Sequence, residues 1–240
     1  MLKYIGIILL GIFSYQAQAQ PVLNVKGSGY ILTQQRETAF FNSIDVSQQI
    51  SVYIVPGKFE PLTVEADDNL FPYIKTVVRN QTLKVNIPDT GNIVKFTHMN
   101  ILISMPEIVL LQARQNSLID ASPQLWKVQQ VQLKASTGSR IHLAVHTSNL
   151  DIDARTSAII ELKGKATQLE AVLKTAARLY GRNFETEQAD LELATGARAE
   201  IEVNEKIAYD LCGNSKLIYR GNPQITKNSV NSGSKVIQDR

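Results

Sequence analysis

Cysteine is almost absent from this sequence, with Cys212 the only one among 240 residues. No intrachain disulfide can form, so the fold must be held together by its own core. A single cysteine in an alternating apolar stretch is more often a small buried hydrophobe than a nucleophile. No His or Asn context around Cys212 resembles a thiol-enzyme motif. We therefore expect Cys212 to be buried.

The sequence also lacks an excess of charge of one sign. It has 25 Lys and Arg against 22 Asp and Glu. Nucleic-acid-binding proteins usually have a strong basic excess, so a nucleic-acid partner is not expected. Beyond the first 19 residues, no hydrophobic run approaches the about 20 residues that a membrane-spanning helix needs. The sequence therefore does not predict an integral membrane protein.

The first 19 residues carry an export pattern. Lys3 supplies a positive charge, an apolar run extends from Ile5 to Phe13, and Ala17-Gln18-Ala19 is a small-x-small cleavage signature. The pattern predicts a cleavable secretory signal peptide over residues 1–19. The mature chain would reside in the periplasm, on the outer surface or outside the cell.

Long helical periodicity is lacking too. The apolar residues of the first half alternate with polar ones, and Gly, Pro, Asn and Asp separate the runs, which indicates strands joined by turns. One short helical turn is expected over Asp67 to Ile74, capped by Asp67-Asp68-Asn69 and limited by Pro72. The alternating runs are Ile44–Val46, Ile50–Ile54, Leu62–Ala66, Leu83–Ile87 and Ile101–Ile103.

The second half contains a repeat, in which a strand, a corner of small residues and a second strand follow one another. Good copies begin at Leu133, Ile152, Ala171 and Leu191. A looser copy begins at Tyr209, and Leu111–Ala121 has the form of a degenerate first copy. The corner residues recur at intervals of 18 to 22 residues and are Asn116, Gly138, Ser157, Ala176, Gly196 and Asn214.

A repeat of about 19 residues fits one coil of a parallel β-solenoid. It is too short for a propeller blade and lacks the asparagines of leucine-rich repeats. A stack of antiparallel hairpins with the same alternation remains open. In a solenoid the inward residues stack, coil upon coil, about 4.8 Å apart. The predicted inward columns are Leu133, Ile152, Ala171, Leu191, Tyr209; Ala135, Ala154, Leu173, Leu193, Leu211; and Ile141, Ile160, Leu179, Ala199, Leu217.

These patterns divide the chain into four parts. Residues 1–19 form the signal peptide and 20–106 a strand-rich N-terminal β region. Residues 107–222 form the β-solenoid repeat region, and 223–240 a final strand or a loose tail. The predicted fold class is all-β.

Several segments resemble a known family. The most specific is Glu65-Ala66-Asp67-Asp68-Asn69-Leu70, and Val25–Gly29 and Val52–Gly57 also match. The corners Thr137-Gly138-Ser139 and Gly213-Asn214-Ser215 are similar to those of the family's repeated half. From about Val22 to Gly221 the sequence resembles the head GIN domain of putative auto-transporter adhesins, which is common in secreted proteins of Bacteroidetes-type bacteria. The resemblance implies an all-β, solenoid-like fold without an established enzymatic activity, and it supplies no binding residues.

The repeat also stacks outward residues into charged columns. Six carboxylates share the face before the corner, and a basic column follows the corner. A ladder of like charges needs cations, ion pairs or solvent, so these columns are candidates for binding a divalent cation or a charged polymer. The alternative is an ordinary solvated face with weak local ion pairs. The candidate binding residues are Asp151, Asp153, Glu170, Asp190, Glu192, Arg140, Arg178 and Arg198.

Metal binding has little support in the sequence. Asp67-Asp68-Asn69 has suitable ligand types, but it lacks the spacing and glycine of a calcium loop, which favours a capping or turn role. His142 and His146 would lie about 13 Å apart on one face of a strand, too far apart to share a metal. We expect no metal and no cofactor.

Several residues are candidates for a sugar-binding or catalytic role. Trp126 and Tyr180 could stack on sugar rings, although a lone Trp more often covers a core. Parallel β-helices include polysaccharide-cleaving enzymes, and Asp151, Asp153, Glu170 and Arg178 could supply acid-base groups. The short coils leave little room for a cleft.

The sequence thus favours a secreted, non-enzymatic, adhesin-like binding module of the bacterial cell envelope. Its partner would be a polysaccharide or an envelope or host protein. The alternatives are a carbohydrate-active enzyme on a β-helix scaffold and a periplasmic structural or sensory module.

Overall fold

The computed structural model of the chain describes residues 23–88 and 91–239. It is 69% strand, and the described part contains no α-helix. The predicted signal peptide lies outside the described residues. The described part also contains no helix that is long and apolar enough to cross a membrane.

Nine strands precede the predicted repeat. A short 3₁₀ helix (Asp68–Leu70) follows the fifth of them, inside the segment expected to be helical. The strands are β1 (Leu23–Lys26), β2 (Ile31–Arg36), β3 (Ser43–Val46), β4 (Ser51–Pro56), β5 (Leu62–Asp67), β6 (Lys75–Arg79), β7 (Thr82–Asn86), β8 (Gly91–Lys95) and β9 (Met99–Met105).

Nine further strands form the second half, and five of them are long enough to run around most of a coil. They are β10 (Leu110–Ala113), β11 (Leu118–Ser136), β12 (Arg140–Arg155), β13 (Ile159–Lys174), β14 (Arg178–Ala194), β15 (Arg198–Leu211), β16 (Lys216–Arg220), β17 (Gln224–Val230) and β18 (Lys235–Gln238).

The second half is a parallel β-solenoid of about seven turns. Every strand from β10 to β18 pairs with its neighbours in parallel, which excludes the stack of antiparallel hairpins. The three predicted inward columns are confirmed, because Leu133 lies opposite Ile152, Ala135 opposite Ala154, and so on through Leu217. All their members are buried.

Each coil turns at two successive residues in the left-handed backbone region. The six predicted corner residues all have φ between 60° and 74°. The N–H of each donates to the carbonyl of the preceding corner residue in the next coil, as Gly138 does to Thr156 at 2.9 Å. The ladder of hydrogen bonds therefore continues through the corner without a break.

A small buried residue follows each corner. Its size lets the chain fold back over the core, and where it is serine its hydroxyl bonds to backbone, as Ser139 Oγ donates to the Ala113 carbonyl at 2.7 Å. The column is at most 1% exposed and consists of Ser117, Ser139, Ala158, Ala177, Ala197 and Ser215.

The strand-rich first half is continuous with the solenoid. Strand β3 pairs in parallel with β10, and β4 pairs in parallel with β11, so β3 and β4 form a coil around a corner at Gln48-Gln49. The chain then leaves the stack and returns at β10. The excursion adds β9 beside β4 and the antiparallel β5 beyond it, and β2, which precedes the first coil, pairs antiparallel with β5. The β6–β7 hairpin covers the outer edge of β3.

The segment after residue 222 is a further coil rather than a loose tail. Strand β17 pairs with β15, β18 pairs with β16, and a corner lies at Ser232-Gly233. This coil places Asn228 beside Tyr209 and Gln238 beside Tyr219. Two inward columns thus end in polar side chains, which suits an end that water contacts.

The structure decides two expectations about single residues. Cys212 is exposed, so the expectation of a buried thiol is wrong. The alternation places Leu211 inside, and the residue after it therefore points out. Trp126 is only 1% exposed, and its indole Nε1 donates to the Ala121 carbonyl at 3.1 Å. It fills the core and offers no platform for a sugar.

Candidate functional site

The acidic columns predicted from the repeat lie on the face before the corner. Asp151, Glu170 and Asp190 are direct neighbours on β12, β13 and β14, and all three are exposed. Two residues further along the same strands, Asp153 and Glu192 flank Val172. The five carboxylates are therefore close together on one flat surface.

Basic side chains on the same face neutralise part of this charge. Arg155 forms an ion pair with Asp153 at 2.7 Å, and Lys174 forms one with Glu192 at 2.7 Å. The hydrogen bond and the charge of Asp153 raise the pKa of Arg155. Lys227 lies 3.5 Å from Asp210 in the same way. These contacts are the local ion pairs of an ordinary solvated face, each of which contributes little to stability.

The basic column lies on the other side of the corner. Arg178, Arg198, Lys216 and Lys235 occupy the same position in four successive coils, and Arg140 lies two coils before Arg178. None of the five forms an ion pair with a described residue. We call these five residues the basic row.

A row of hydroxyl residues borders the basic row at the corner itself. Each of its four threonines lies three positions before the first outward residue of the next strand. The threonine row therefore runs parallel to the column that contains the basic row. Each has φ between 52° and 55°, a strained value for a β-branched residue. Their hydroxyls form no hydrogen bond within the described chain. We call them the threonine row: Thr137, Thr156, Thr175 and Thr195.

A third row lies two residues beyond the basic row. In the last four coils its members are Tyr180, which is 40% exposed, then Glu200, Ile218 and Ile237, which is 42% exposed. The carboxylates in this column have their own partners. Glu161 lies 3.8 Å from His142, and Glu200 lies 3.5 Å from Arg182. Neither of these carboxylates forms an ion pair with a member of the basic row.

The structure does not bring the predicted acidic and basic candidates into one site. Glu170 precedes the Thr175 corner on β13, whereas Arg178 follows it on β14. The acidic columns and the basic row thus lie on different sides of the corner. Sequence reasoning missed the threonine row and Lys235. The signal was present as a repeated pattern of hydroxyl, two small residues and a base, as in Thr175–Arg178 and Ser232–Lys235.

The side chains of Asp67, Asp68 and Asn69 form hydrogen bonds to Ser28 and Gly29 near the start of the described chain. Asp67 occupies the N-cap position of the 3₁₀ helix but forms no side-chain cap hydrogen bond, so the expected capping role is wrong for this residue. Its buried carboxylate instead accepts the N–H of Gly29 at 2.7 Å. Asp68 accepts the Ser28 hydroxyl at 2.6 Å, and Asn69 accepts the Ser28 N–H at 3.0 Å.

The described residues contain no group of three or more His, Cys, Asp or Glu side chains placed to hold a metal ion. His98 lies 3.4 Å from Glu65, and His142 lies beside Glu161.

Most of the described chain matches a known protein family. Residues 40–223 match the family model described as "Putative auto-transporter adhesin, head GIN domain". The chain belongs to this family. The match includes the first coil, the excursion and all the coils that carry the acidic columns. No curated protein matches the chain.

Solved structures of similar fold come from species of Bacteroides and Parabacteroides. A putative adhesin from Bacteroides fragilis has a TM-score of 0.79 and 16% identity, over 89% of this chain and 98% of that one. A putative adhesin from Parabacteroides merdae has a TM-score of 0.71 and 16% identity, over 90% and 99%. A putative lipid binding protein from Parabacteroides distasonis has a TM-score of 0.69 and 16% identity, over 91% and 100%. Likeness at this identity supports the head GIN fold.

Proposed function

We propose that this chain is a non-enzymatic, adhesin-like binding module of the bacterial cell envelope, which presents its solenoid faces to a polysaccharide or a protein. The observation that carries the proposal is the register of the outward side chains. They form straight rows that repeat at the strand spacing of about 4.8 Å along successive coils. Such rows fit an extended partner, whereas a small substrate is usually held in a concave pocket.

The family description and the putative adhesins of similar fold support this role. The separation of the acidic columns from Arg178 by the corner supports binding over catalysis, because acid-base cleavage needs these groups to converge on one bond.

The experiment is a binding screen with the mature chain, from residue 20 onward, on an array of bacterial and host glycans and surface proteins. Saturable binding to at least one of them would support the proposal. The same glycans, incubated with the protein and assayed for new reducing ends or unsaturated sugars, should remain intact. Turnover of any of them would replace the binding role with an enzymatic one.

Export is part of the proposal, since an adhesin must leave the cytoplasm. N-terminal sequencing of the protein from its native host should begin at Gln20. Protease added to intact cells should digest a surface-exposed module. Protection until lysis would place the module in the periplasm and would overturn its role in adhesion to other surfaces.

A further inference from the structure

We infer that the basic row and the rows on either side of it form the binding site for a linear anionic polysaccharide. This inference rests on the proposed function and names the face and the ligand class. The first support is the contrast between the two faces. Arg155, Lys174 and Lys227 on the face before the corner are ion-paired. Arg178, Arg198, Lys216 and Lys235 have no carboxylate partner within the described chain.

Unpaired like charges at this spacing destabilise the free protein. Neighbouring members of the basic row sit on adjacent hydrogen-bonded strands, so their Cα atoms are about 4.8 Å apart. Like charges directly opposite each other on paired strands repel. A ligand with a matching series of negative groups removes that repulsion. It should therefore bind the basic row more strongly than it would bind the same number of isolated cations.

The threonine row supplies a second, independent observation. Glycine or asparagine adopts positive φ at lower cost, yet threonine stands at this position in four successive coils. The strain is repeated where the hydroxyls are exposed and free of protein partners. Backbone strain of this kind gathers at binding sites. A row of free hydroxyls beside a row of cations offers a polysaccharide hydrogen bonds as well as charge.

The third row fits the remaining chemistry of a sugar polymer. Tyr180 and Ile237 present exposed apolar surface beside the cations, and Arg178 donates to the Tyr180 hydroxyl at 3.4 Å. Sugar rings have apolar faces that pack against such side chains. A hydroxyl, a cation and an apolar side chain thus lie side by side in two of these coils, at Thr175, Arg178 and Tyr180 and at Ser232, Lys235 and Ile237.

The shape of the basic row favours a polysaccharide over other anionic partners. The row is one side chain wide and extends along the stack for four coils without interruption. A membrane surface would be matched by a broad basic patch, and the small net charge of the chain, +3, disfavours nucleic acid.

The test measures binding of the mature chain to polygalacturonate, to heparin and to neutral dextran, at several salt concentrations. We expect binding to at least one of the two anionic polymers, none to dextran, and an affinity that falls steeply with salt. Polygalacturonate and heparin separate carboxylate from sulfate recognition. Vesicles of phosphatidylglycerol complete the set, and stronger binding to them than to both anionic polymers would overturn the inference in favour of a lipid surface.

Two variants with equal loss of charge locate the site. The first combines Arg178→Gln, Arg198→Gln and Lys216→Gln. The matched control combines Arg155→Gln, Lys174→Gln and Lys227→Gln, which removes three ion-paired cations from the other face. We expect the affinity of the first variant to be at least about tenfold lower than that of wild type. The slope of its salt dependence should fall by roughly one for each charge removed. The control should stay within about twofold of wild type. Circular dichroism confirms that both fold.

The outcomes separate this inference from the proposed function. Equal losses in the two variants would mean general electrostatic attraction, and the basic row would not be the site. Binding to neutral glycans or to proteins but to neither anionic polymer would overturn the inference and leave the proposed function standing. Binding to nothing on the array and to neither polymer would overturn both.

Discussion

The buried carboxylate of Asp67 is joined to the backbone N–H of Gly29 by a hydrogen bond of 2.7 Å. It also accepts the Thr97 N–H at 2.8 Å and the Thr97 hydroxyl at 3.0 Å. One side chain at the end of β5 thus holds two segments that are distant in sequence. Burial alone raises the pKa of this carboxyl, but the hydrogen bonds from Thr97 and Gly29 outweigh it, and the pKa is lowered.

The lowered pKa predicts how Asp67 affects stability with pH. A carboxylate with a depressed pKa in the folded state stabilises above its unfolded pKa of about 3.9, and the effect is lost as the pH falls through the folded value. We expect Asp67→Asn to lower the melting temperature at pH 7 by roughly 5 °C. The difference from wild type should shrink as the pH falls below about 4.

The exposed Asp190 supplies the control, because Asp190→Asn should change the melting temperature little at any pH. Thermal unfolding by circular dichroism between pH 2 and 7, a range spanning the carboxyl pKa of about 3.9, measures both variants. An Asp67→Asn difference that stays constant over that range would rule out the carboxylate as its source.

Gly164 is required where one coil lies directly against another. A Cβ at this position would lie 2.2 Å from the Val145 carbonyl oxygen, and φ is +107°. Gly164→Ala is therefore expected to cost about 3 kcal/mol, since backbone must move. Gly196 also has positive φ but has open space around its Cα, so Gly196→Ala should cost only about 1 kcal/mol. Urea unfolding midpoints compare the two, and equal costs would contradict the close approach.

The strain in the threonine row can be relieved. Thr156 has φ of 52°, and asparagine tolerates this region better than a β-branched residue. We expect Thr156→Asn to stabilise the protein by about 0.5–1 kcal/mol. Thr167 lies in the strand β13, where asparagine is disfavoured, so Thr167→Asn should stabilise nothing. Urea unfolding gives both values, and a loss of stability at Thr156 would show that the corner is unstrained.

Ile159 interrupts the basic row between Arg140 and Arg178. Ile159→Arg should therefore join Arg140 to the other four members and raise the affinity for whichever anionic polymer binds by about three- to fivefold. Val172 is the matched control, because it is a half-buried outward residue of the same strand on the face before the corner, between Asp153 and Glu192. Val172→Arg adds the same charge there. A similar gain from both variants in a titration of that polymer would contradict the position of the site.

The repeat half was predictable because two periods coincide in it. Alternation along each strand sorts inward from outward residues, and the interval of about 19 residues then aligns the coils, so columns such as Leu133, Ile152 and Ala171 could be written from sequence alone. The coil formed by β3 and β4 was not predicted from the repeat. Its corner, Gln48-Gln49, has no small residue, and the long excursion separates it from the next copy.

The site was only partly predictable for a related reason. The charged columns follow from the period, but whether a charge is compensated depends on rotamers and diagonal neighbours, such as Arg155 with Asp153. The partners of Asp67 are 30 and 38 residues away in the chain, and no local pattern specifies them. Cys212 was misplaced because the expectation followed the usual burial of single cysteines, whereas the alternation that places Leu211 inside places Cys212 outside.

The hydrogen bonds that pass through every corner join all coils in the same way, whatever their sequence. A duplicated stretch of about 19 codons would therefore insert as one more layer, with its neighbours left undisturbed. Duplication of the layer that carries Thr175, Arg178 and Tyr180 would add one hydroxyl, one cation and one apolar contact for a long ligand. Avidity for that ligand would then grow with the number of layers. Selection could therefore raise or lower this avidity through the gain or loss of layers.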